Sequence, residues 1–171
     1  LTTWRWFGFL GMQMRVSRKL EEIITVSSNS AEDIVSDFGV DPDRIVTIPL
    51  GVDTDRFHAG REREPGRLVC VASADQPLKG VPVLLRALAK VREDHPGVRL
   101  TLISKLKRKG EAAKLLDSLG LRDAVDLVSG VDDDQLAELV GRAEISVVPS
   151  MYEGFSLPAV EAMSSGCALV A

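Results

Sequence analysis

The residues best suited to chemistry lie in 153–166, EGFSLPAVEAMSSG, where the carboxylates Glu153 and Glu161 stand eight positions apart around the start of a helix. Ser156 or Leu157 would cap that helix, and Pro158 falls in its first turn, where a missing N–H costs nothing. Gly166 supplies the stop signal. The first amides of the helix are left without carbonyl partners, which makes its start an anion site. Glu153 precedes the helix and Glu161 sits about one turn inside it, so the two acids bracket a donor-rich terminus. Carboxylates accept from hydroxyls and amides donate to phosphate, so the set suits a polyhydroxylated ligand carrying phosphate.

The elements that must hold this segment are legible in the hydrophobic pattern. Ile145, Val147 and Val148 read as a strand that runs through Pro149 and Ser150 into the loop of Glu153 and Gly154. From Leu68 onward strands and helices alternate. Strands are expected at about 68–72, 99–103, 125–128, 145–148 and 167–171, and helices at about 81–93, 111–119, 134–142 and 157–165. Before them come a short strand at 23–26, a helix capped by Ser28 or Asn29 and closed by Gly39, and a strand at 45–48. The charged stretch 60–66 reads as a separator. The pattern predicts an α/β fold, a Rossmann-like parallel sheet flanked by helices, with its ligand at the carboxyl ends of the strands.

The loop after the first strand of that sheet, 72–80, ASADQPLKG, lacks G-x-G-x-x-G and is too bulky for a dinucleotide pyrophosphate to approach in that way. It offers Lys79 as a point charge for phosphate oxygens and Ser73 as a neutral donor. Lys105, Lys107, Arg108 and Lys109 follow the strand 100–103, and Lys105, nearest the strand end, is the best placed of the four. The alternative for all of them is a solvated basic loop. The acids 132–134 precede a helix, where one of them caps the first turn. Asp53 and Asp55 have D-x-D spacing but lie beside Pro49 and Gly51, and no histidine or cysteine cluster suggests zinc, so no metal is expected. His58 and His95 read as surface residues, and no G-x-S-x-G supports a hydrolase.

With these residues in view, the pair Glu153 and Glu161, with Gly154, Phe155, Ser156, Leu157 and Pro158 between, resembles the E-x7-E signature of the retaining GT-B glycosyltransferases of family 4. Residues 21–57 resemble the end of that family's N-terminal domain and its linker, and 73–80 resembles the loop after the first strand of the nucleotide-binding domain. The resemblance implies the C-terminal half of a GT-B fold in 58–171, preceded by the end of the N-terminal domain and linker in 1–57. It implies a metal-independent transfer, with retention, of a hexosyl group from a UDP- or GDP-type sugar to a lipid or carbohydrate acceptor, with no cofactor. Glu161 would take the ribose hydroxyls and Glu153, the catalytic acid of the set, the donor-sugar hydroxyls. Ser73, Lys79, Lys105 and 154–157 would hold the rest of the donor. Many members carry Gly-Arg where this chain has Ala72-Ser73, so the diphosphate would lean harder on Lys79 and the helix terminus. Two other classes stay open: a noncatalytic nucleotide-sugar-binding module, which would tolerate loss of Glu153, and a nucleotide-sugar epimerase, which would lack the EGFSLP loop.

Composition narrows the classes further. The 171 residues are 45% hydrophobic and 27% charged, enough for one core with some attached structure, and the net charge of -4 argues against general nucleic-acid binding. Cys70 and Cys167 lie in apolar runs and read as reduced core residues. No apolar run approaches the length of a membrane span, and a cytoplasmic protein is expected. The chain opens on Leu1 and stops inside an apolar run at Ala171, so a fragment truncated at both ends is expected. Trp4, Trp6, Phe7, Phe9, Leu10, Met12 and Met14 are interleaved with Arg5 and Arg15. That segment reads either as a helix packed against further N-terminal structure or as a peripheral contact with the inner membrane face.

Overall fold

The computed structural model describes residues 3–107 and 110–171, without the side chains of residues 3–6. Arg108 and Lys109, and the side chains of Trp4, Arg5 and Trp6, therefore lie outside the described residues. The chain forms two compact units, 1–51 and 52–171.

The first unit contains α1 (Thr3–Ser17), β1 (Ile23–Thr25), α2 (Ser28–Phe38) and β2 (Ile45–Thr47). β1 and β2 pair in parallel with Ile24 opposite Val46. Ser27, not Ser28 or Asn29, caps α2, its side chain accepting from the Ser30 amide at 3.1 Å. Gly39 closes the helix at φ 65, a left-handed conformation that glycine adopts without a Cβ clash. Arg18 donates to the Phe38 carbonyl at 2.6 Å and Arg44 to the Arg18 carbonyl at 3.1 Å, binding the ends of the two helices together. Apolar side chains remain exposed on α1 at Phe7, Phe9, Met12 and Val16, and on the strands at Ile24 and Val46. No helix among the described residues is long and apolar enough to cross a membrane.

The second unit is a five-stranded parallel sheet in the order β5-β4-β3-β6-β7. Its elements are β3 (Glu64–Val71), α3 (Val81–Asp94), β4 (Arg99–Ile103), α4 (Glu111–Ser118), β5 (Val125–Val128), α5 (Asp133–Arg142), β6 (Ala143–Val147), α6 (Leu157–Ser164) and β7 (Ala168–Val170). Side-chain alternation along β3 divides the core. Leu68, Cys70 and Ala72 pack with Leu84, Leu85 and Leu88 of α3 and Ala112 and Leu116 of α4. Val69 and Val71 face the other layer, with Val140 of α5 and Ala162 of α6. A strand covered on both faces must be apolar at consecutive positions, as 68–72 is.

The sheet departs from the expected pattern in one place. β3 begins at Glu64, inside the charged stretch 60–66 that reads in sequence as a separator. Glu64 pairs with Ala143, and the register then shifts before Leu68 pairs with Ile145. Gly66, at φ 71, absorbs the irregularity, and its amide donates to the Glu144 carboxylate at 2.6 Å. Residues 52–57, placed with the linker by sequence, belong to the second unit. Phe57 is buried, its carbonyl accepts from the Ser164 hydroxyl, and Arg56 pairs with Asp133 and Asp134.

Cys70 and Cys167 are both free and buried, Cys167 lying just ahead of β7. Burial pushes the Cys70 thiol up to about 12, so it stays protonated.

Candidate functional site

Strand order determines where a site can form. From β3 the chain winds outward to β4 and β5, then returns to the other side of β3 with β6 and β7. The loops after β3 and β6 therefore leave in opposite directions from neighbouring strands, the switch point at which open parallel sheets bind ligands. Both loops are short-range consequences of their own sequences. After β3, Pro77–Lys79 forms one 3-10 turn that Gly80 ends at φ 63 before α3 starts. After β6, 148–156 runs to Ser156, which stands at the cap of α6 with Pro158 in the first turn.

The two loops meet closely. The Met151 amide donates to the Leu78 carbonyl at 2.8 Å. A Cβ on Gly80 would lie 1.8 Å from the Pro149 carbonyl oxygen, so only glycine allows this approach. Across the junction the Lys79 Nζ reaches Glu153 Oε1 at 2.7 Å, and the Ser150 hydroxyl donates to the same oxygen at 2.7 Å. The pair is part-buried, with side-chain exposures of 30% for Lys79 and 25% for Glu153. Burial pushes the Glu153 carboxyl up, but the hydrogen bonds from Lys79 and Ser150 and the lysine charge outweigh it and hold the acid below its ordinary value. Glu153 is accordingly a carboxylate with one oxygen committed.

Lys79 also lines a cavity of about 550 Å³ at the carboxyl ends of β3 and β4, together with Ser73, Asp75, Ser104, Lys105 and Lys107. Three bonds lace the walls: the Ala72 amide to the Ile103 carbonyl at 3.3 Å, the Ala74 amide to Ser104 Oγ at 3.0 Å, and the Lys107 amide to Asp75 Oδ2 at 2.9 Å. The other Asp75 oxygen is buried without a hydrogen-bond partner among the described residues. Ser73 and Lys105 are exposed at the rim. The structure thus brings Ser73, Lys79 and Lys105 to one cavity and joins Glu153 to it through Lys79.

At the start of α6 the Ala159 and Val160 amides both turn back to the Ser156 carbonyl, at 3.1 and 3.2 Å. Among the described hydrogen bonds none uses the amides of Gly154, Phe155, Ser156 or Leu157, and Ser156 Oγ is buried without a partner. Glu161 lies inside α6, partly buried, and does not line the cavity of Lys79. Its carboxylate has no hydrogen-bond or ion-pair partner among the described residues, and burial followed by the charge of Asp133 raises its pKa.

The two acidic clusters serve local structure. Asp132 caps α5 in a reciprocal box with Gln135. Asp53 Oδ1 accepts from the Asp55 and Arg56 amides at 3.1 Å each, an Asx turn. Among the described residues no group of three or more His, Cys, Asp or Glu is placed to hold a metal. His58 and His95 are exposed.

Sequence reasoning missed Ser150, Asp75 and Ser104, whose contribution is to hold loops rather than to complete a motif. Gly80 carried a readable signal, a glycine directly before an apolar-periodic helix.

Residues 53–171 match the family model described as glycosyl transferases group 1. The chain belongs to that family. Residues 2–56 match a second model, glycosyltransferase family 4. An MMP alpha-(1->4)-mannosyltransferase of Mycolicibacterium hassiacum is 50% identical over 98% of this chain and 40% of its own length. A D-inositol 3-phosphate glycosyltransferase 2 of Catenulispora acidiphila is 33% identical over 88% of this chain and 40% of its own. The chain thus spans about 40% of the length of these curated relatives. Among solved structures, the pneumococcal O-GlcNAc transferase GtfA in complex with UDP and GlcNAc superposes with a TM-score of 0.78 at 20% identity, covering 92% of this chain and 31% of that one. Anabaena HepE in complex with UDP-glucose gives 0.75 at 19%, covering 92% and 48%. At such identities these two establish a shared glycosyltransferase fold for this group 1 chain.

Proposed function

We propose that the full-length protein is a glycosyltransferase that moves a hexosyl group, with retention, from a nucleoside-diphosphate sugar to a carbohydrate or lipid acceptor. The observation that carries this reading is the meeting of Lys79 and Glu153 at 2.7 Å across the switch point of the sheet, within the segment matched to the family. The donor's diphosphate would lie against Lys79, Ser73 and Lys105 and the unused amides of 154–157. Glu153 would accept from hydroxyls of the donor sugar and Glu161 from the ribose. The nucleotide is of the UDP or GDP type, and the mannosyl transfer named for the 50% identical relative supports testing mannosyl donors first.

The residues supply what such a transfer requires. As the bond between the anomeric carbon and the phosphate oxygen breaks, its electron pair leaves with the diphosphate and the sugar ring becomes oxocarbenium-like. The acceptor oxygen bonds to the anomeric carbon, and the acceptor's hydroxyl proton ends on the departing phosphate. Charge grows on the leaving oxygen, so fixed donors around it stabilise the transition state more than the ground state. Lys79 and the helix-start amides would fill that role, with no cofactor invoked. The reaction would take place in the cytoplasm. For a lipid acceptor, the exposed Phe7, Met12 and Val16 would be the surface that touches the membrane.

The test is turnover of the full-length protein on a panel of UDP- and GDP-linked hexoses, with Glu153→Ala and Glu161→Ala beside wild type. Glu161→Ala is expected to weaken nucleotide affinity about tenfold, as for a lost charged hydrogen bond. Glu153→Ala is expected to lower turnover more than nucleotide affinity. Unchanged nucleotide affinity in Glu161→Ala would remove it from the donor site.

A further inference from the structure

The two groups assigned to opposite halves of the donor contact one another directly: Lys79 Nζ donates to Glu153 Oε1, and the Ser150 hydroxyl donates to the same oxygen. Neither group has a second ion-pair partner among the described residues. A diphosphate that draws the lysine into the cavity competes with the glutamate for it.

We propose that this contact makes Glu153 a specificity-determining residue that favours the intact donor over its nucleoside-diphosphate product. This rests on the donor-site reading given above. When the whole donor binds, both members of the pair find new partners, the lysine a phosphate oxygen and the carboxylate the sugar hydroxyls. When only the diphosphate is present, the lysine is satisfied but the carboxylate is left with Ser150 alone in a site that is three-quarters buried. Leaving a part-buried carboxylate without its cation is costly. The product thus bears an expense that the donor avoids. After transfer, loss of the sugar hydroxyls lets Glu153 reclaim Lys79, which assists release of the diphosphate. The exchange involves no covalent step.

The geometry favours this pair over other contacts for the role. It joins the loops after β3 and β6 at the switch point, and the Gly80–Pro149 approach and the Met151–Leu78 hydrogen bond fix those loops. The backbone therefore need not move for the two side chains to part. Lys79 and Glu153 only rotate away from one another, the lysine toward the cavity that it already lines.

Calorimetric titration of the full-length protein with UDP and GDP, and with UDP-glucose and GDP-mannose in the absence of acceptor, tests the inference. Glu153→Gln keeps the side chain's shape and its bond to Ser150 but gives up the charge that holds the lysine. It is expected to bind the free diphosphate about three- to fivefold more tightly than wild type, the range of a part-exposed ion pair, and the sugar nucleotide no more tightly. The ratio of the two dissociation constants then contracts, and product inhibition deepens. Lys79→Met is expected to weaken both ligands and, combined with Glu153→Gln, to abolish the gain. Diphosphate affinity that is unchanged or weaker in Glu153→Gln overturns the exchange. So does a gain that survives in the double variant, since it would then come from general charge repulsion and not through Lys79. If Lys79→Met leaves every ligand unaffected, the donor-site reading itself fails, whereas weakening by Lys79→Met without tightening by Glu153→Gln defeats the exchange alone.

Discussion

The two ends of the five-stranded sheet carry similar residues and use them differently. At the amino ends, charges are matched to charges. Arg67 pairs with Glu64 and Asp126, Arg99 with Asp126 at 2.8 Å, Arg142 with Glu64 at 2.8 Å, and Arg61 with Glu138 at 3.0 Å. At the carboxyl ends, several polar groups have no hydrogen-bond partner among the described residues: the amides of 154–157, Ser156 Oγ, one oxygen of Asp75, and the carboxylate of Glu161. Buried polar groups ordinarily find partners; Ser156 Oγ and one Asp75 oxygen lack one at this end, and Ser165 Oγ lacks one at the other, among the described residues. The two ends differ in how their charges are matched: a network of ion pairs at the amino ends, and at the carboxyl ends the single Lys79–Glu153 pair beside the unpartnered Glu161 among the described residues.

Three changes would break or sharpen this contrast. The largest effect is expected from Gly80→Ala. A side chain at φ 63, facing the Pro149 carbonyl, must both strain its own backbone and force the loops after β3 and β6 apart. The cost is expected to exceed about 3 kcal/mol in denaturant unfolding, with nucleotide binding lost alongside. A tolerated alanine would mean that the loops are not wedged together.

A smaller effect of opposite sign is expected from Glu161→Gln. Burial and Asp133 raise the folded pKa of Glu161 above its reference of 4.5, so the wild-type protein is favoured by this group below pH 4.5 and loses that contribution as pH rises through the folded value. At pH 7 the neutral variant should therefore be more stable than wild type, by up to about 1 kcal/mol given the group's partial exposure, while binding nucleotide less well. Thermal melts between pH 4 and 8 would show the two curves diverging upward in pH. Parallel curves would mean that Glu161 is as comfortable as a surface acid.

The smallest effect is expected at the matched end. Burial pushes Asp126 up, but hydrogen bonds from Arg99 and Arg67 outweigh it and hold the folded pKa below the reference of 3.8. Its stabilisation is present above that pH and is lost as pH falls through the folded value. Asp126→Asn should cost about 0.5 kcal/mol at pH 7, because the side chain is 42% exposed and screened, and should leave nucleotide affinity unaltered. A change in affinity would show that the two ends are coupled.

Much of the fold was readable because its period is short. The apolar run 68–72 marks a strand buried on both faces, and Ser156, Pro158 and Gly166 punctuate α6 where they were expected. The start of β3 was not readable. Glu64 and Arg67 look like a polar spacer until Asp126 and Arg142 are brought beside them from other elements. Arg56 presented the same difficulty, since its partners Asp133 and Asp134 lie on α5 and nothing near it in sequence names them. At the site, Lys79 and Glu153 were each legible as candidate residues, but their mutual contact was not.

The order of strands and helices, the capped helix start and the kinds of side chain around it follow from the sequence alone. They depend on neighbours within a turn or a strand, where periodicity and backbone preference act. Which charges are paired and which are left open was decided by the tertiary structure. Parallel pairing of β3 with β6 brings together loops 74 residues apart, and only there do the Lys79 amine and the Glu153 carboxylate come within 2.7 Å of one another.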